Sequence, residues 1–408
     1  MSVPDELRRY VPRTDLYDSL ELVHYHMPVE QPPATASYII FKKGSKTYAK
    51  NGTYGHIEYE DTDSATVIQN AIDALIDGGR ILISPGTYEN IAVTIKDKIT
   101  IAGTAPSKGG YAVTKLVGNG TDPVIKTSGD YANSNADLTH GIGLLDIAIN
   151  GNGAEKACDL TNLDYAQIHR CTIYGSTYSL YFGYNGVLPP TAGTLNGAFF
   201  ITNNELGGAI YNKYGTNINI IANWFEAGSP PDRWIHLIGT IKTAVISNQF
   251  GECNVETVKL EDDGNHQLEG VIFRDNYHAA GSTVKLYTLN LGNHSSSARL
   301  IIDDTAAENN GWDYPTIPFS TIRIKAYTSR LTHNRGVATI PAGNTTVSVT
   351  HGLYTPDPSY IHVIATPITP CNVNWWVDNI DWTTFDIVIA SSQASDVKFA
   401  WEAWVKLT

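Results

Sequence analysis

The chain has 408 residues and a net charge of −13, from 28 Lys and Arg against 41 Asp and Glu. This acid excess excludes a generic nucleic-acid-binding surface, which needs a positive field. Charged residues make up only 17% of the chain while 35 Gly and 23 Tyr are present, a composition typical of many short strands joined by turns.

The first 60 residues are predicted to be an attachment or lead-in segment. Residues 1–36 show no clear period and end in a proline-rich stretch at 28–34, which is typical of an exposed linker. The N-terminal sequence lacks the basic and then apolar pattern of a signal peptide, and no apolar run is long enough to span a bilayer. We therefore expect neither a signal peptide nor a membrane span.

An amphipathic helix is predicted over residues 63–77. Asp63 or Ser64 can serve as its N-cap, and Gly78 and Gly79 end it. The apolar residues of its predicted buried face are Val67, Ile68, Ala71, Ile72, Leu75 and Ile76. Strands are predicted directly afterwards, at residues 80–88 and 99–103.

A degenerate repeat then follows, in which an apolar strand leads to a polar residue, usually Asn, and a second short strand. It occurs five times, at residues 168–173, 201–206, 221–225, 246–250 and 273–278. The asparagines recur at intervals of 19 to 28 residues, which suits the coils of a solenoid better than propeller blades of about 40 to 50. Because amide side chains in the same phase can hydrogen-bond from coil to coil, we expect a structural asparagine ladder.

The capped helix, the sequence GGRILISPGTY at 78–88 and the sequence IAG at 101–103 resemble the opening of pectate-lyase-like right-handed parallel β-helices. The resemblance covers about residues 60–310, and the chain is most similar to virus tailspike or tail-fibre proteins within that superfamily. It implies an all-β fold in which a single-stranded β-helix spans residues 61–310 behind the short helix. It also implies a homotrimer, a virion attachment partner for the N-terminal segment, and a location in the virion or outside the cell.

The C-terminal part is predicted to be a separate module. Residues 311–335 are interpreted as a linker, and residues 336–408 as a small antiparallel β-sandwich. Its predicted strands, which alternate with period two, lie at 346–350, 360–364, 374–377, 385–389 and 397–401. The module is similar to the lectin-like or trimer-forming modules of phage tail proteins, and the sequence does not choose between these roles.

A column of outward-pointing side chains is expected along one sheet of the β-helix. The strand after each Asn bend aligns six residues, Asp159, Tyr181, Tyr211, His236, Lys259 and Lys285. Coils stack at about 4.8 Å, so the column suits a linear polymer. Flat aromatic rings can stack on sugars. Substrate binding is therefore assigned to Asp159, Tyr181, Tyr211, Trp234, Glu261 and Lys285, of which the aromatic residues are expected to stack.

The catalytic candidates concentrate just before and along this column. They are Glu226, Asp232, Arg233, His236, Glu252 and Lys259. A hydrolase needs two carboxyl groups about 5 to 9.5 Å apart, which Glu226 and Glu252 on neighbouring coils can supply. A lyase needs a base, here His236 or Lys259, and a cation such as Arg233 to neutralise a uronic carboxylate. Each residue can also be an ordinary solvated charge.

These features lead to the hypothesis of a tailspike-like protein that binds and degrades a cell-surface or extracellular polysaccharide as a lyase or glycoside hydrolase. One alternative is a non-enzymatic structural or receptor-binding spike, with Trp375, Trp376, Trp401 and Trp404 in its lectin-like module. Another is a secreted pectate-lyase-type enzyme that depends on Ca²⁺. The sequence lacks the calcium-binding Asp cluster of pectate lyases, so no cofactor is expected, with Ca²⁺ as the alternative. The four cysteines are expected to be buried free thiols.

Overall fold

The computed structural model describes residues 36–105, 113–129, 138–184, 197–229, 231–262, 268–278, 285–290, 300–306, 322–324, 333–353 and 358–405. The described residues from Ser37 onward belong to one compact unit. They form one α-helix, one 3₁₀ turn and 34 strands. The predictions for residues 1–35 lie outside the described residues.

Twenty-eight strands precede the C-terminal module. They are β1 (Tyr38–Lys43), β2 (Lys46–Asn51), β3 (Ile57–Asp61), β4 (Gly79–Ile83), β5 (Gly86–Ile91), β6 (Val93–Ile95), β7 (Ile99–Ala102), β8 (Thr114–Gly118), β9 (Ile125–Thr127), β10 (Ile142–Leu145), β11 (Ala148–Asn150), β12 (Lys156–Asp159), β13 (Ala166–His169), β14 (Thr172–Tyr174), β15 (Tyr178–Phe182), β16 (Phe199–Thr202), β17 (Glu205–Leu206), β18 (Ala209–Lys213), β19 (Ile218–Ile221), β20 (Trp224–Phe225), β21 (Ile235–Ile238), β22 (Ala244–Ile246), β23 (Gln249–Phe250), β24 (Glu256–Glu261), β25 (Val271–His278), β26 (Lys285–Asn290), β27 (Leu300–Ala306) and β28 (Ile322–Ile324).

The strand pairings define a parallel β-helix with three strands per coil. β13, β14 and β15 form one coil, and each pairs in parallel with its counterpart, β16, β17 or β18, in the next coil. The third strands of the coils make a separate eight-stranded parallel sheet in the order β6-β9-β12-β15-β18-β21-β24-β26. The first and second strands belong to a 20-stranded sheet. The predicted right-handed parallel β-helix is therefore confirmed.

The N-terminal end of the β-helix carries a hairpin and the predicted helix. β1 pairs antiparallel with β2 and parallel with β4, so the large sheet begins ahead of residue 61. The helix α1 (Ser64–Asp73) has Asp63 as its N-cap, since that carboxylate accepts from the backbone N–H groups of Ala65 and Thr66. Because α1 ends at Asp73, Ile76 leaves the apolar face and is 89% exposed. The prediction that Ile76 is buried is wrong.

The predicted asparagine ladder is present inside one bend of the coils. The amide of Asn204 donates to Oδ1 of Asn223, that of Asn223 to Asn248, and that of Asn248 to Asn276, at 2.9, 3.0 and 2.9 Å. Each amide also donates to a backbone carbonyl; for Asn248 this is the carbonyl of Ile220. All four side chains are buried, so the ladder satisfies polar groups that water cannot reach.

The residue just before each ladder position turns the chain. Asn203, Ala222, Ser247 and Asp275 all have φ between 55° and 57°, in the left-handed region. This conformation is uncommon for residues other than glycine. It recurs at one point of successive coils, so the left-handed residue and the hydrogen-bonded amide together form one repeated bend.

The ladder ends in a carboxylate. The amide of Asn276 donates to Oδ1 of Asp304 at 2.8 Å, and Oδ2 of Asp304 contacts Nε2 of His278 at 3.1 Å and accepts from the hydroxyl of Tyr287. Asp304, His278 and Tyr287 are all buried. A compact polar cluster therefore lies within the apolar core of the last coils.

The C-terminal module contains two three-stranded antiparallel sheets. Its strands are β29 (His333–Ile340), β30 (Thr346–Thr350), β31 (Ile361–Pro367), β32 (Trp375–Asp378), β33 (Thr384–Ile389) and β34 (Val397–Val405), with a 3₁₀ turn at Pro358–Tyr360. The sheet orders are β29-β34-β31 and β30-β33-β32. They enclose a separate apolar core that includes Phe385, Phe399 and Trp401, which confirms a small antiparallel β-sandwich.

Two strands lie where the sequence predicted a linker at 311–335. β28 pairs in parallel with β27, and β29 begins at His333. The exact domain limits remain a prediction. Among the described residues, no helix is long and apolar enough to cross a membrane.

Candidate functional site

The outer face of the eight-stranded sheet carries a continuous row of polar and aromatic side chains. Strand register aligns Lys126, Asp159, Tyr181, Tyr211, His236 and Lys259, which we call the outer row. Five of its members were predicted from the sequence, and their side chains alternate with inward apolar residues such as Cys158, Leu180 and Ile210. The role of the row in binding stays a prediction.

Lys285 is not part of this row, contrary to the sequence alignment. It pairs with Glu256, whereas Thr288 pairs with Lys259. The predicted position of the row on β26 is therefore wrong by three residues. Tyr287, which is fully buried in the core, is the inward residue that matches Val258, and the sequence alignment did not recognise it.

The tyrosines of the row stack on one another. Tyr181 and Tyr211 have ring centroids 4.5 Å apart and an interplanar angle of 5°, and Tyr178 contacts both rings edge-on. The ammonium of Lys156 lies 3.6 Å from the centroid of Tyr181. The ammonium does not fit between the two stacked rings. It therefore covers the face of Tyr181 that points away from Tyr211.

The edges and hydroxyl groups of these tyrosines, rather than their faces, are therefore available to a ligand. His236 also contacts the Tyr211 ring edge-on, at 5.2 Å between centroids. Burial raises the pKa of Tyr178 and of Tyr211, so both hydroxyls stay protonated. The structure contradicts the predicted face-on stacking of a sugar on Tyr181. Tyr181 and Tyr211 are in register on adjacent coils and lie close enough to stack on each other.

An ionic cluster occupies the C-terminal end of the row. Nε2 of His236 lies 2.5 Å from Oε2 of Glu261, and Nζ of Lys259 lies 2.6 Å from Oε1 of the same carboxylate. Burial lowers the pKa of His236, which favours the neutral ring. Burial alone raises the pKa of Glu261, but hydrogen bonds from Lys259 and His236 outweigh it, so the pKa lies below its ordinary 4.5. Lys259 is thus neutralised by Glu261.

Arg233 lies beside this cluster and is also paired. Its Nε is 2.9 Å from Oε1 of the buried Glu256, although the N–H does not point at that oxygen. The other oxygen of Glu256 accepts from the hydroxyl of Thr288 at 2.9 Å. The positive charge of Arg233 helps to lower the pKa of His236, which places the two side chains in one electrostatic environment.

A cleft of about 320 Å³ opens next to the row, where the chain enters the strands of the eight-stranded sheet. Its polar lining comes from Ser176, Thr177, Tyr178, Asp232, Arg233 and Asn254. Ala209 and Pro231 add a small apolar area. Tyr178 belongs both to this lining and to the aromatic group of the row, so cleft and row adjoin.

The remaining predicted residues separate into distinct places. Trp234 is fully buried, and its indole donates to the carbonyl of Gly251 at 2.9 Å, so the prediction that it stacks on a sugar is wrong. Its large apolar ring fills the core instead, against Phe225. Asp232 is exposed and lines the cleft.

Glu226 and Glu252 are exposed and lie on neighbouring coils, just after the paired strands β20 and β23. Glu226 precedes Pro231, and Glu252 precedes Asn254, on the two chain segments that go on to line the cleft. Both carboxylates are therefore exposed on adjacent coils, while Arg233, His236, Lys259 and Glu261 form a separate cluster.

Several contributors were missed by sequence reasoning. Lys126 extends the row one coil earlier, and the same alignment rule could have found it. Lys156 and Tyr178 each lie three residues before a row member, and Glu256 lies three before Lys259. Only the bulge between Tyr178 and Leu180 and the side-chain contacts bring this second group against the row.

No group of three or more His, Cys, Asp or Glu side chains is arranged to hold a metal ion in the described parts of the chain. The prediction concerning Ca²⁺ stays a prediction.

No family model and no curated protein matches this sequence. Solved structures with a similar fold include the tailspike protein of Acinetobacter phage vB_ApiP_P1, at 9% identity over 85% of both chains with a TM-score of 0.36. A second is ORF18 of Geobacillus virus E2, at 13% identity over 87% of this chain and 82% of that one, with a TM-score of 0.39.

A third is the tailspike protein gp49 from Acinetobacter baumannii bacteriophage Fri1, a capsular polysaccharide depolymerase. It is 11% identical over 85% of this chain and 83% of that one, with a TM-score of 0.33. At these identities the likeness is one of fold alone. The chain is a parallel β-helix protein by its own strand pairings, and it is similar in fold to phage tailspike proteins.

Proposed function

We propose that the protein binds a linear, uncharged polysaccharide along the outer row. The observation that carries the proposal is the register of the row, which repeats polar or aromatic side chains on successive strands about 4.8 Å apart. A linear polymer can contact several of them at once, since the row crosses adjacent strands whose backbones are held by parallel pairing.

The charges of the site support an uncharged ligand. Lys156 pairs with Asp159 at 2.8 Å, Lys259 with Glu261, and Arg233 with Glu256. Each of these three cations already has a carboxylate, so a polyanion gains little attraction from them; Lys126, at the N-terminal end of the row, is exposed. The net charge of −13 also opposes its approach.

The test measures binding of a polysaccharide panel by calorimetry. We expect Tyr211→Ala to weaken binding of a recognised polysaccharide by about tenfold, because it removes a partly exposed ring edge and a hydroxyl from the row. Tyr54→Ala is the matched control, since Tyr54 is 76% exposed in the turn between β2 and β3. Equal loss in both variants, or no loss in Tyr211→Ala, contradicts binding along the row.

We propose hydrolysis as the reaction that follows binding. It is supported by the exposed carboxylates Glu226 and Glu252, which follow the paired strands β20 and β23 on neighbouring coils. In hydrolysis one carboxyl group protonates the leaving oxygen while the other acts as base or nucleophile, the glycosidic C–O bond breaks, and water supplies the new hydroxyl. A lyase is less well supported, because Arg233 is already neutralised by Glu256.

Reducing ends and unsaturated products are measured together on any polysaccharide that binds. We expect new reducing ends without unsaturated products, and a loss of at least about 100-fold in Glu226→Gln and in Glu252→Gln. Glu89→Gln, at an exposed position on β5, is the control. Unsaturated products contradict hydrolysis, and the absence of cleavage across the panel leaves a binding protein.

The non-enzymatic alternative is supported by a different observation. Trp375, Trp376 and Trp382 in the C-terminal module are 37%, 44% and 56% exposed, which is unusual for such large apolar side chains. Trp401 is buried in the module core, so it is not part of that surface. If this module binds the receptor, we expect Trp376→Ala, and not Tyr211→Ala, to abolish glycan binding.

We also propose that the protein is a homotrimeric virion component attached through its N-terminal segment. Sedimentation as a monomer at micromolar concentration contradicts the trimer.

A further inference from the structure

The cleft beside the outer row has a shape that exists before any ligand binds. Backbone hydrogen bonds join the turns that line it, from Thr177 N–H to the carbonyl of Glu155 at 3.1 Å and from Ala209 N–H to that of Thr177 at 2.8 Å. The N–H of Asn254 donates to the carbonyl of Pro231 at 2.9 Å. Each wall is thereby fixed to the coil next to it, and binding there costs little ordering of the chain.

The lining has both donors and acceptors at short range. Hydroxyl groups of Ser176, Thr177 and Tyr178 can do either, the amide of Asn254 supplies both, and Arg233 only donates. Ala209 and Pro231 add apolar area beside them. A sugar ring, with hydroxyls around its edge and C–H groups on its faces, matches this mixture, and the volume of about 320 Å³ is at the small end of ligand sites.

The charges around the cleft disfavour an anion. Arg233 is the one cation of the lining in the described residues, and the buried carboxylate of Glu256 lies 2.9 Å from its Nε. Asp232 adds a second negative charge to the lining. Two carboxylates against one guanidinium leave a local negative excess, so Arg233 serves a ligand as a hydrogen-bond donor and not as an unpaired counterion.

Tyr178 connects the cleft to the row. Its ring lines the cleft and also contacts Tyr181 and Tyr211, with centroids 5.3 and 5.8 Å away. A polymer that lies along the row therefore passes the mouth of the cleft, and a substituent on it can enter while the main chain stays on the row.

We propose that this cleft binds an uncharged sugar residue carried as a side branch of the polysaccharide, and that it discriminates against a uronic acid at that position. This inference rests on the proposed function, because the branch reaches the cleft only from a polymer on the outer row. It adds a specificity site to that row.

The experiment titrates single sugars, so that it does not depend on the polysaccharide. Saturation-transfer NMR on the full chain uses glucose, galactose, mannose, N-acetylglucosamine and N-acetylgalactosamine, together with glucuronic and galacturonic acid. We expect at least one neutral sugar to bind with a millimolar Kd and its uronic acid counterpart to bind at least tenfold more weakly.

Two variants locate the binding. Thr177→Trp, at an exposed position of the lining, fills the cleft and is expected to abolish the signal, whereas Thr87→Trp, at an exposed position on β5, leaves it unchanged. Asp232→Asn removes one negative charge and is expected to reduce the discrimination against the uronic acid by several-fold.

Three results overturn the inference: no neutral sugar binds, the uronic acid binds as tightly as its neutral counterpart, or Thr177→Trp leaves binding intact. The proposed function fails separately. If polysaccharides bind and Tyr211→Ala weakens their binding, but no single sugar binds, the proposal of binding along the row stands and the proposed branch site is wrong. If single sugars bind but no polysaccharide does, the row proposal is wrong, and with it the branch assignment.

Discussion

At the scale of single residues, the parallel coils place side chains of the same type directly above one another. The rings of Tyr181 and Tyr211 stack, and the amides of Asn223 and Asn248 hydrogen-bond, for the same geometric reason. In the first case stacking hides the faces that were expected to meet a sugar. In the second it satisfies groups that would otherwise be buried without partners.

Asn248 is expected to contribute strongly to stability. In Asn248→Ala, the N–H and amide of Asn223 lose their acceptor, and the carbonyl of Ile220 loses its donor. Each buried group left unsatisfied costs about 1 to 3 kcal/mol, so we expect a clear fall in Tm by circular dichroism. Asn219→Ala, which removes a partly exposed side chain from β19, is the control. Similar Tm values for both variants contradict a structural ladder.

His236 is expected to make stability depend on pH. Burial holds its pKa below the ordinary 6.5, so the unfolded chain takes up a proton at higher pH than the folded chain. Stability is therefore lost as the pH falls below 6.5, and the lowered pKa of Glu261 adds a loss in the same direction below 4.5.

Chemical denaturation from pH 7.5 to 5 checks this. We expect His236→Gln to lose less stability over that interval than the wild-type protein. His56→Gln, which alters an exposed histidine, should follow the wild type. An unchanged pH slope in His236→Gln shows that another group is responsible.

At the scale of elements, the coil strands could be predicted because each bend repeats the same chemistry. A left-handed residue, a ladder residue and an inward apolar residue recur in fixed order, as in Ser247, Asn248 and Phe250. Prediction failed at β26, which follows the Asn276 bend: the inward residue that matches Val258 is Tyr287, it was not recognised as such, and the register was displaced by three residues.

β29 was missed for a different reason. Its first residues were assigned to the linker, and Gly336 lies in its interior, where a Cβ would lie 2.9 Å from the Trp401 ring of the neighbouring strand. The glycine accommodates a close approach that only the folded sheet reveals. The candidate site was also predictable only in part. The strand pattern placed Tyr181, Tyr211 and His236 in one row, but the contacts between their rings depend on side-chain packing that the sequence does not show.

The helix α1 is expected to depend on its N-cap. Asp63→Ala removes the acceptor for two N–H groups of the first turn and should cost about 1 kcal/mol. Hydrogen exchange should increase in α1 and in β5 and β6, which pack against it. Asp77→Ala, an exposed change beyond the helix, is the control; equal exchange in both variants contradicts a role for the cap.

At the scale of the whole molecule, the four cysteines are free. Burial raises the pKa of the Cys171 thiol to about 12 and that of Cys253 to about 11, and it raises that of Cys158 as well. Cys371 is only partly buried. The fold therefore protects three thiols from electrophilic reagents, which react with the thiolate form.

Titration with a disulfide reagent is expected to detect one fast thiol in the native protein, which is lost in Cys371→Ser, and four after denaturation. Cys253→Ser is the matched control and should leave the fast phase unchanged. Because no disulfide is involved, a reductant should not change Tm. Rapid reaction of more than one thiol means that the coils open more readily than the packing implies.

The asparagine ladder has an electrostatic direction. In Asn204, Asn223, Asn248 and Asn276, Oδ1 accepts from the preceding coil and one amide N–H donates to the next, so the side-chain carbonyl dipoles point the same way, as peptide dipoles do along an α-helix. The positive end of this row meets the carboxylate of Asp304. Asp304 thus accepts the last side-chain hydrogen bond and terminates the array much as an acidic residue does at a helix N-terminus.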